Sequence, residues 1–172
     1  PIAGATAPAT LAGTLTQLHA EALAGVAFAQ AFAPGTKMLY GAVATVMDLR
    51  RMDFTMGSIE GALMNAAAVE MARRVGLPIY ASSGLTESKQ PDIQAGFEKT
   101  ASNLMVAFAG ADYIHLAAGM LDSGNSISYE QYVIDNEIIG MTHRILQGVR
   151  VDEDTLAEEV VARVGPGGQF ML

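Results

Sequence analysis

The chain has no cysteine, and only 16% of its 172 residues are charged. Without cysteine it can form no disulfide, no thiolate metal site and no thiol nucleophile. Its 18 acidic residues outnumber the 10 lysines and arginines. Because basic residues occur at most in pairs, such as Arg50-Arg51, a nucleic-acid partner is not expected. So low a charge is typical of a heavily buried piece of a larger domain or oligomer, since about a quarter is usual.

Signals for membranes and export are also lacking. No basic segment followed by an apolar core opens the chain, so we expect no signal peptide. The most apolar windows, such as residues 104–111, are too short to span a bilayer. The absence of cysteine is compatible with a reducing compartment, and we predict a cytoplasmic protein without a membrane partner. The chain starts at Pro1, without methionine, and we expect both ends to be cut.

Apolar runs that predict strands begin near residues 1, 37, 77 and 112. Each run is followed by a segment with helical apolar spacing. The predicted helices cover residues 9–32, 58–75, 91–109 and 128–147. A period of about 35 to 40 residues with this content predicts repeated βα units. Strands joined through helices must be parallel, and the crossovers right-handed.

Local signals place the boundaries of these units. Ser58 is predicted to cap the second helix, and Gly76 to end it. Ser128 with Gln131 predicts a capping box for the fourth helix. Residues 44–57 are predicted to be a long loop, which in a compact domain tends to be functional or disordered.

Two further expectations concern packing. Residues 36–43 are continuously apolar, which predicts a strand covered on both faces. Beyond the fourth unit, residues 152–164 are predicted to form an amphipathic helix, with Leu156, Val160 and Val161 turned inward.

Four βα units form either half of an eight-stranded TIM barrel or a small doubly wound sheet. No G-x-G-x-x-G fingerprint and no P-loop follows a predicted strand, which disfavours a nucleotide-binding sheet. We therefore predict an α/β fold, a single partial TIM-barrel domain over residues 1–172. Its four units would reach about residue 149, followed by the extra helix 152–164.

Several separated motifs, in order along nearly the whole chain, resemble the trimethylamine methyltransferase family. They are Ala3-Gly-Ala-Thr-Ala-Pro-Ala-Thr-Leu-Ala-Gly13, Tyr40-Gly41, Met47-Asp48, Gly76-Leu-Pro78, Asp92-Ile-Gln-Ala-Gly-Phe-Glu98 and His115-Leu-Ala-Ala-Gly119. The resemblance implies a TIM barrel whose mouth accepts a tertiary or quaternary methylated amine. It implies transfer of a methyl group to the cobalt of a corrinoid that a cognate partner protein carries. Because members of the family are much longer, this chain would be the later half of the barrel.

The family includes members that carry pyrrolysine and members that do not. In this sequence the resemblance places that position in the loop around residues 88–90, where Lys89 is the nearest candidate. In members specific for glycine betaine, the resemblance implies an arginine shortly after the Leu-Pro pair, where this chain has Ile79-Tyr80-Ala81. Which methylated amine is used therefore stays open.

The candidate catalytic residues are His115, Lys89 and Glu87. His115 lies near the carboxyl end of a predicted strand, which faces the active site in a barrel. Its role would be a polar contact to the substrate or the corrinoid; the alternative is a core histidine. Glu87 and Lys89 follow another strand, where a carboxylate could face an ammonium group; a solvated loop is the alternative. No metal site is expected in the chain itself.

Five further residues are predicted to bind the substrate: Tyr80, Tyr40, Asp48, Gln94 and Asp122. The two tyrosines could present aromatic faces to a cation, although barrel-core packing is an equal alternative. The two aspartates lie in loops, where turn formation or helix capping is the alternative. The methionines of these loops form a soft surface that could contact a corrin ring.

Two other functions remain open at this point. The first is another barrel enzyme, a lyase or aldolase that forms a Schiff base at Lys89, although such a lysine normally sits in an apolar pocket. The second is a non-catalytic half-barrel that self-associates through its open strand edges and its uncovered apolar face. Under either scheme we expect a homo-oligomer.

Overall fold

The structure is a computed structural model that describes residues 1–171. The strands are β1 Ile2–Ala3, β2 Tyr40–Ala42, β3 Thr45–Asp48, β4 Asp53–Thr55, β5 Ile79–Ser82, β6 Tyr113–His115, β7 Met120–Leu121 and β8 Ser126–Ile127. The helices are α1 Leu11–Phe32, α2 Ile59–Arg74, α3 Ile93–Ala109, α4 Tyr129–Leu146, α5 Glu153–Leu156 and α6 Glu158–Val164. Each of the four long helices follows a strand segment, as the sequence pattern predicts.

The four βα units place their strands side by side in chain order. β1 pairs with β3, β2 pairs with β5, and β5 pairs with β6, all in parallel. β2 and β3 are successive segments of one extended stretch, and together they form the strand of the second unit. The spatial order of the strands therefore follows the chain order from the first unit to the fourth, without reversal. A doubly wound sheet reverses its order at a switch point, and no reversal occurs among these strands. The α/β class with parallel strands is confirmed; the half-barrel stays a prediction.

Alternation along the strands decides which side chains enter the core. Tyr40 and Ala42 in β2, and Ile79 and Ala81 in β5, are buried against the helices. Met64 of α2 packs into the same core, and burial of such a side chain contributes about 1.5–3 kcal/mol. Many of the other core residues are alanines, which allow the helices to lie close to the strands.

The opposite face of the strands is open in this chain. Leu39 and Val43 flank β2 and are both exposed. The prediction of a strand covered on both faces is therefore wrong for this chain. The helices cover one face only, and the described residues supply no second layer.

Two predicted loops contain strands. Residues 44–57 form a hairpin of β3 and β4, in which Val46 pairs with Thr55 and Met47 with Phe54. β-branched and aromatic residues favour this arrangement, and Met52 takes a positive φ of 55° where the chain turns back. The loop after β6 likewise contains the short hairpin of β7 and β8.

The predicted helix 152–164 is broken. Ala157 adopts a left-handed conformation with φ 51°, which separates α5 from α6. Leu156 and Val161 are 52% and 56% exposed, so the predicted inward face of this helix is wrong. The two short helices have no buried residue, because no described element packs against that face.

Most predicted caps are confirmed. Ser58 accepts a hydrogen bond from the Gly61 N–H, and Gly76 follows α2 with φ 69°. Ser128 accepts from the Gln131 N–H at 3.2 Å, but the Gln131 side chain turns to Asp135 instead of completing a capping box. Within residues 1–171, no helix is both long and apolar enough to cross a membrane.

Candidate functional site

One carboxylate connects the segments that follow three neighbouring strands, which we call the strand exits. Glu87, in the loop after β5, accepts hydrogen bonds through Oε1 from the Gly57 N–H at 3.0 Å and the Ser123 hydroxyl at 2.5 Å. Gly57 ends the β3–β4 hairpin segment, and Ser123 lies beyond β6 in the short 3₁₀ helix Asp122–Gly124. We call Gly57, Glu87 and Ser123 the rim network. It fixes the three exits relative to one another.

The loop after β5 is folded back onto α3. The Ser83 hydroxyl donates to Asn103 Oδ1 at 2.5 Å, and the Gly84 N–H donates to Ser102 Oγ at 3.0 Å. The Gly84 carbonyl accepts from Lys99 Nζ at 2.5 Å. One face of α3 therefore dictates the path of the loop immediately after the strand.

The preceding turn of α3 also binds the loop after β5. Glu98 Oε2 accepts from the Thr86 hydroxyl at 2.6 Å and from the Glu87 N–H at 2.9 Å. Its other oxygen accepts from Gln94 Nε2 at 2.9 Å. The predicted binding residue Gln94 is thus engaged with its own helix.

A fully buried ion pair joins α3 to α4. Lys99 Nζ lies 3.0 Å from Asp135 Oδ2, and both side chains have no exposed surface. Lys99 also donates to the Met120 carbonyl at 3.0 Å, while Asp135 Oδ2 accepts from the Gly119 N–H at 2.7 Å. Burial lowers the pKa of Lys99, and the Asp135 carboxylate opposes that shift.

An aromatic cluster occupies the open face of β5 and β6. The rings of Tyr80 and Tyr113, paired in register, are stacked with centroids 5.3 Å apart. The ring of His115 lies 4.0 Å from that of Tyr80, and the Tyr80 hydroxyl is hydrogen-bonded to His115 Nδ1. Of these three, Tyr80 and His115 are predicted site residues, and the structure brings them into contact.

Burial lowers the pKa of His115, so its imidazole is neutral at pH 7. The hydrogen bond between the Tyr80 hydroxyl and Nδ1 occupies one ring nitrogen, and the tautomer of the ring decides which partner donates. Nε2 is buried and has no hydrogen-bond partner among residues 1–171. His115 thus combines a neutral ring with one ring nitrogen that makes no hydrogen bond within the described residues.

The remaining loop residues pair with each other. Lys89 is 78% exposed, and its Nζ lies 3.5 Å from Asp122 Oδ1. A lysine that forms a Schiff base needs an apolar pocket, which this position does not provide. Lys89 and Asp122 bridge the exits of β5 and β6 on the outside of the rim network.

Two predicted binding residues lie away from the aromatic cluster. Tyr40 is fully buried on the helix side of β2, and its hydroxyl is hydrogen-bonded to His19 Nδ1 at 3.0 Å. Burial raises the pKa of Tyr40, as expected for a core tyrosine. Asp48 caps the hairpin turn by accepting from the Arg50 and Arg51 N–H groups at 2.9 and 3.4 Å.

Four residues of these networks were not predicted from the sequence: Lys99, Asp135, Tyr113 and Ser123. A signal for Lys99 existed, since it shares a helical stripe with Ala95 and Val106, which are both fully buried. Among the described residues, no group of three or more His, Asp or Glu side chains could hold a metal ion.

Comparison with known proteins gives consistent matches. The family described as trimethylamine methyltransferase (MTTB) matches residues 1–172. The chain is 45% identical over 170 residues to trimethylamine methyltransferase MttB1 of Methanosarcina acetivorans and 43% identical to trimethylamine methyltransferase MttB of Methanosarcina barkeri. It is 39% identical to the glycine betaine methyltransferase of Desulfitobacterium hafniense. These alignments cover 99% of this chain and 34–36% of the relatives, so the chain spans about a third of their length.

Proposed function

Because the chain belongs to the trimethylamine methyltransferase family, we propose that it forms part of an enzyme that demethylates a tertiary or quaternary methylated amine. The methyl group passes to the cobalt of a corrinoid carried by a cognate partner protein. In this scheme the parallel strands are one part of a TIM-barrel wall, and their carboxyl ends line part of its mouth. The strand order without reversal supports that arrangement.

The observation that carries this proposal is the aromatic cluster of Tyr80, Tyr113 and His115. Methylated ammonium groups are recognised by the faces of aromatic rings, and each contact contributes about 0.5–2 kcal/mol. Tyr80 and Tyr113 supply two such rings on the open face of the strands. His115 is compatible with a cation beside it because burial keeps its imidazole neutral at pH 7.

The chemistry explains why no acid–base pair is required for a quaternary substrate. The corrinoid supplies the cobalt nucleophile that accepts the methyl group, and the leaving group is a neutral amine. The residues of this chain hold the cation so that the C–N bond points towards the partner. The exposed Leu49 and Met52, at the turn of the β3–β4 hairpin, offer an apolar surface on the same side as the strand exits.

The proposal is tested with the full-length protein and its reduced corrinoid partner. Trimethylamine, glycine betaine, carnitine and proline betaine are screened, and transfer is followed by the absorbance change of the corrinoid. We expect transfer from at least one amine. Loss of one ring contact in Tyr113→Leu should raise the KM about 2- to 30-fold, whereas Tyr113→Phe should retain wild-type KM. The matched control, Tyr129→Leu on the exposed start of α4, should also leave it unchanged.

Absence of transfer from every amine in the screen would exclude the proposed reaction. Equal KM values for Tyr113→Leu and the Tyr129 control would remove the aromatic cluster from the binding site. Light scattering on the same preparation tests the proposed homo-oligomer, and a monomer at micromolar concentration argues against it.

A further inference from the structure

The buried Lys99 ammonium is completely satisfied. Its three protons face three acceptors: the carbonyl oxygens of Gly84 and Met120, and Asp135 Oδ2. Asp135 is satisfied in turn, because it also accepts from the Gly119 N–H and from Gln131 Nε2. A buried charge is tolerated only when its partners are this complete. The geometry is therefore specific, since any displacement of one backbone group leaves a buried charge unsatisfied.

The partners of this pair are backbone groups of two different strand exits. Gly84 is the second residue after β5, while Gly119 and Met120 lie just beyond β6. Lys99 and Asp135 come from the helices that follow those two strands. The pair thus connects both exits and both helices at one buried point.

The segment that carries His115 lies between Gly84 and Gly119, whose backbone groups bind the Lys99–Asp135 pair. Its carbonyl accepts from the Ser83 N–H at 3.4 Å, next to Gly84. The following residue, Leu116, takes a positive φ of 62°, and the chain then passes against Gly84 so closely that a Cβ there would lie 2.6 Å from Ala117 Cα. The segment that carries His115 is therefore anchored on both sides, by Ser83 and Gly84 before it and by Gly119 after it.

We propose that Lys99 and Asp135 are positioning residues that set the separation of the β5 and β6 exits and thereby the placement of His115 beside Tyr80. Neither side chain reaches the open face, since both are fully buried among the helices and loops. The pair acts through backbone groups, so it would influence binding and transfer without contacting the amine. This catalytic consequence rests on the proposed function; the placement of His115 does not.

The test uses the full-length protein with Lys99→Met and Asp135→Asn combined. Methionine has a length similar to that of lysine, and asparagine keeps one oxygen for the Gly119 N–H, so the core stays filled while both charges are removed. Lys99→Met alone would leave Asp135 charged and unpaired, and we expect it to fold poorly. A matched control, Arg74→Met with Glu70→Gln, removes the two exposed ion pairs that Glu70 forms with Arg73 and Arg74 on α2.

The first readout is independent of any substrate. NMR of histidine- and glycine-labelled protein follows the titration of the His115 ring and the exchange of the Gly84 and Gly119 amides. In the double variant we expect the His115 pKa to rise towards the ordinary histidine value. The two amides should exchange at least about tenfold faster. The Arg74/Glu70 control should match the wild type in both.

The second readout is catalytic. If an amine substrate is found, kcat should fall about ten- to a hundredfold, a loss expected for misplaced groups, with a smaller change in KM. An unchanged His115 titration and unchanged amide exchange in the folded double variant would overturn the proposal. If the double variant does not fold, Asp135→Glu decides, because it keeps both charges and moves the carboxylate by one methylene group: a shifted His115 titration supports the proposal and an unchanged one overturns it. If the wild type transfers no methyl group, the proposed function fails, while the NMR result still decides the placement of His115.

Discussion

The role of Glu87 can be decided by comparing two substitutions. The sequence predicts that Glu87 is a catalytic carboxylate. In the structure Glu87 is the centre of the rim network, where its Oε1 accepts hydrogen bonds from the Gly57 N–H and the Ser123 hydroxyl. Glu87→Ala removes both hydrogen bonds and leaves the N–H of the buried Gly57 without its acceptor. Hydrogen bonds to a charged group contribute about 1.5–3 kcal/mol each, and the half exposure of Glu87 favours the low end. We expect Glu87→Ala to lower the free energy of unfolding by about 2–4 kcal/mol.

Glu87→Gln removes the charge of the side chain but keeps its structural role, because the amide oxygen can accept both hydrogen bonds. A loss of at most about 1 kcal/mol is expected, together with KM and kcat close to those of the wild type. Denaturant titration measures the stability, the proposed methyl transfer of the full-length protein measures the activity, and Glu159→Ala on the exposed face of α6 serves as the control. If Glu87→Gln keeps full stability but loses activity as strongly as Glu87→Ala, Glu87 is a catalytic group and the rim interpretation is wrong.

Three further predictions follow from single positions. Gly84→Ala should cost at least about 2 kcal/mol of stability, since its Cβ would meet the backbone of the β6 exit. Gly76→Ala, with a similar positive φ but open space around it, should cost only about 1–2 kcal/mol. Tyr40→Phe should lower the unfolding free energy by about 0.5–1.5 kcal/mol through loss of the His19 bond and leave KM unchanged; a raised KM would return Tyr40 to the binding site. Because burial lowers the pKa of His115, its contribution to stability is fully present above pH 6.5 and is lost as the pH falls through the lowered pKa. Unfolding measured from pH 7 to pH 4 should show this loss, and His115→Gln should remove it.

The helices and their caps were predictable because their signals are local. Ser58 and Ser128 cap helices through N–H groups three residues away, and Gly76 ends α2 as its position before Pro78 indicates. The parallel order followed from the repeated units. By contrast, the β3–β4 hairpin was missed because Asp48, Arg50 and Arg51 dominate that stretch and hide the pairing of its apolar residues.

The face to which a tyrosine points was not predictable from a continuously apolar run. Tyr40 and Tyr80 both lie near strands, but the register pairs Tyr40 with Ile79 and Gly41 with Tyr80. This shift of one residue places Tyr40 in the core and Tyr80 on the open face. A single sequence contains the alternation but not its phase, so it does not show which of the two tyrosines faces the core.

Lys99 was missed for a different reason. A charged residue in a helix is normally exposed, so the stripe of Ala95, Lys99 and Val106 was not recognised as buried. The acceptors of Lys99 lie 15 to 36 residues away, in two loops and in Asp135. Satisfaction of a buried charge depends on the tertiary fold, and no local pattern in the sequence reveals it.

The way in which the loops are held limits how the site can change among relatives. The exits of β5 and β6 are held in part through backbone groups of Gly84, Gly119 and Met120, and a substitution at a projecting loop side chain leaves these hydrogen bonds in place. Lys89 and Tyr113 project from this frame and are largely exposed, so they can vary at little cost in stability. Differences in amine preference should therefore arise at such projecting positions rather than through a new loop conformation. If exchange of Lys89 and Tyr113 between relatives with different amine preferences alters neither KM nor kcat for any amine, specificity must reside in another part of the full-length protein.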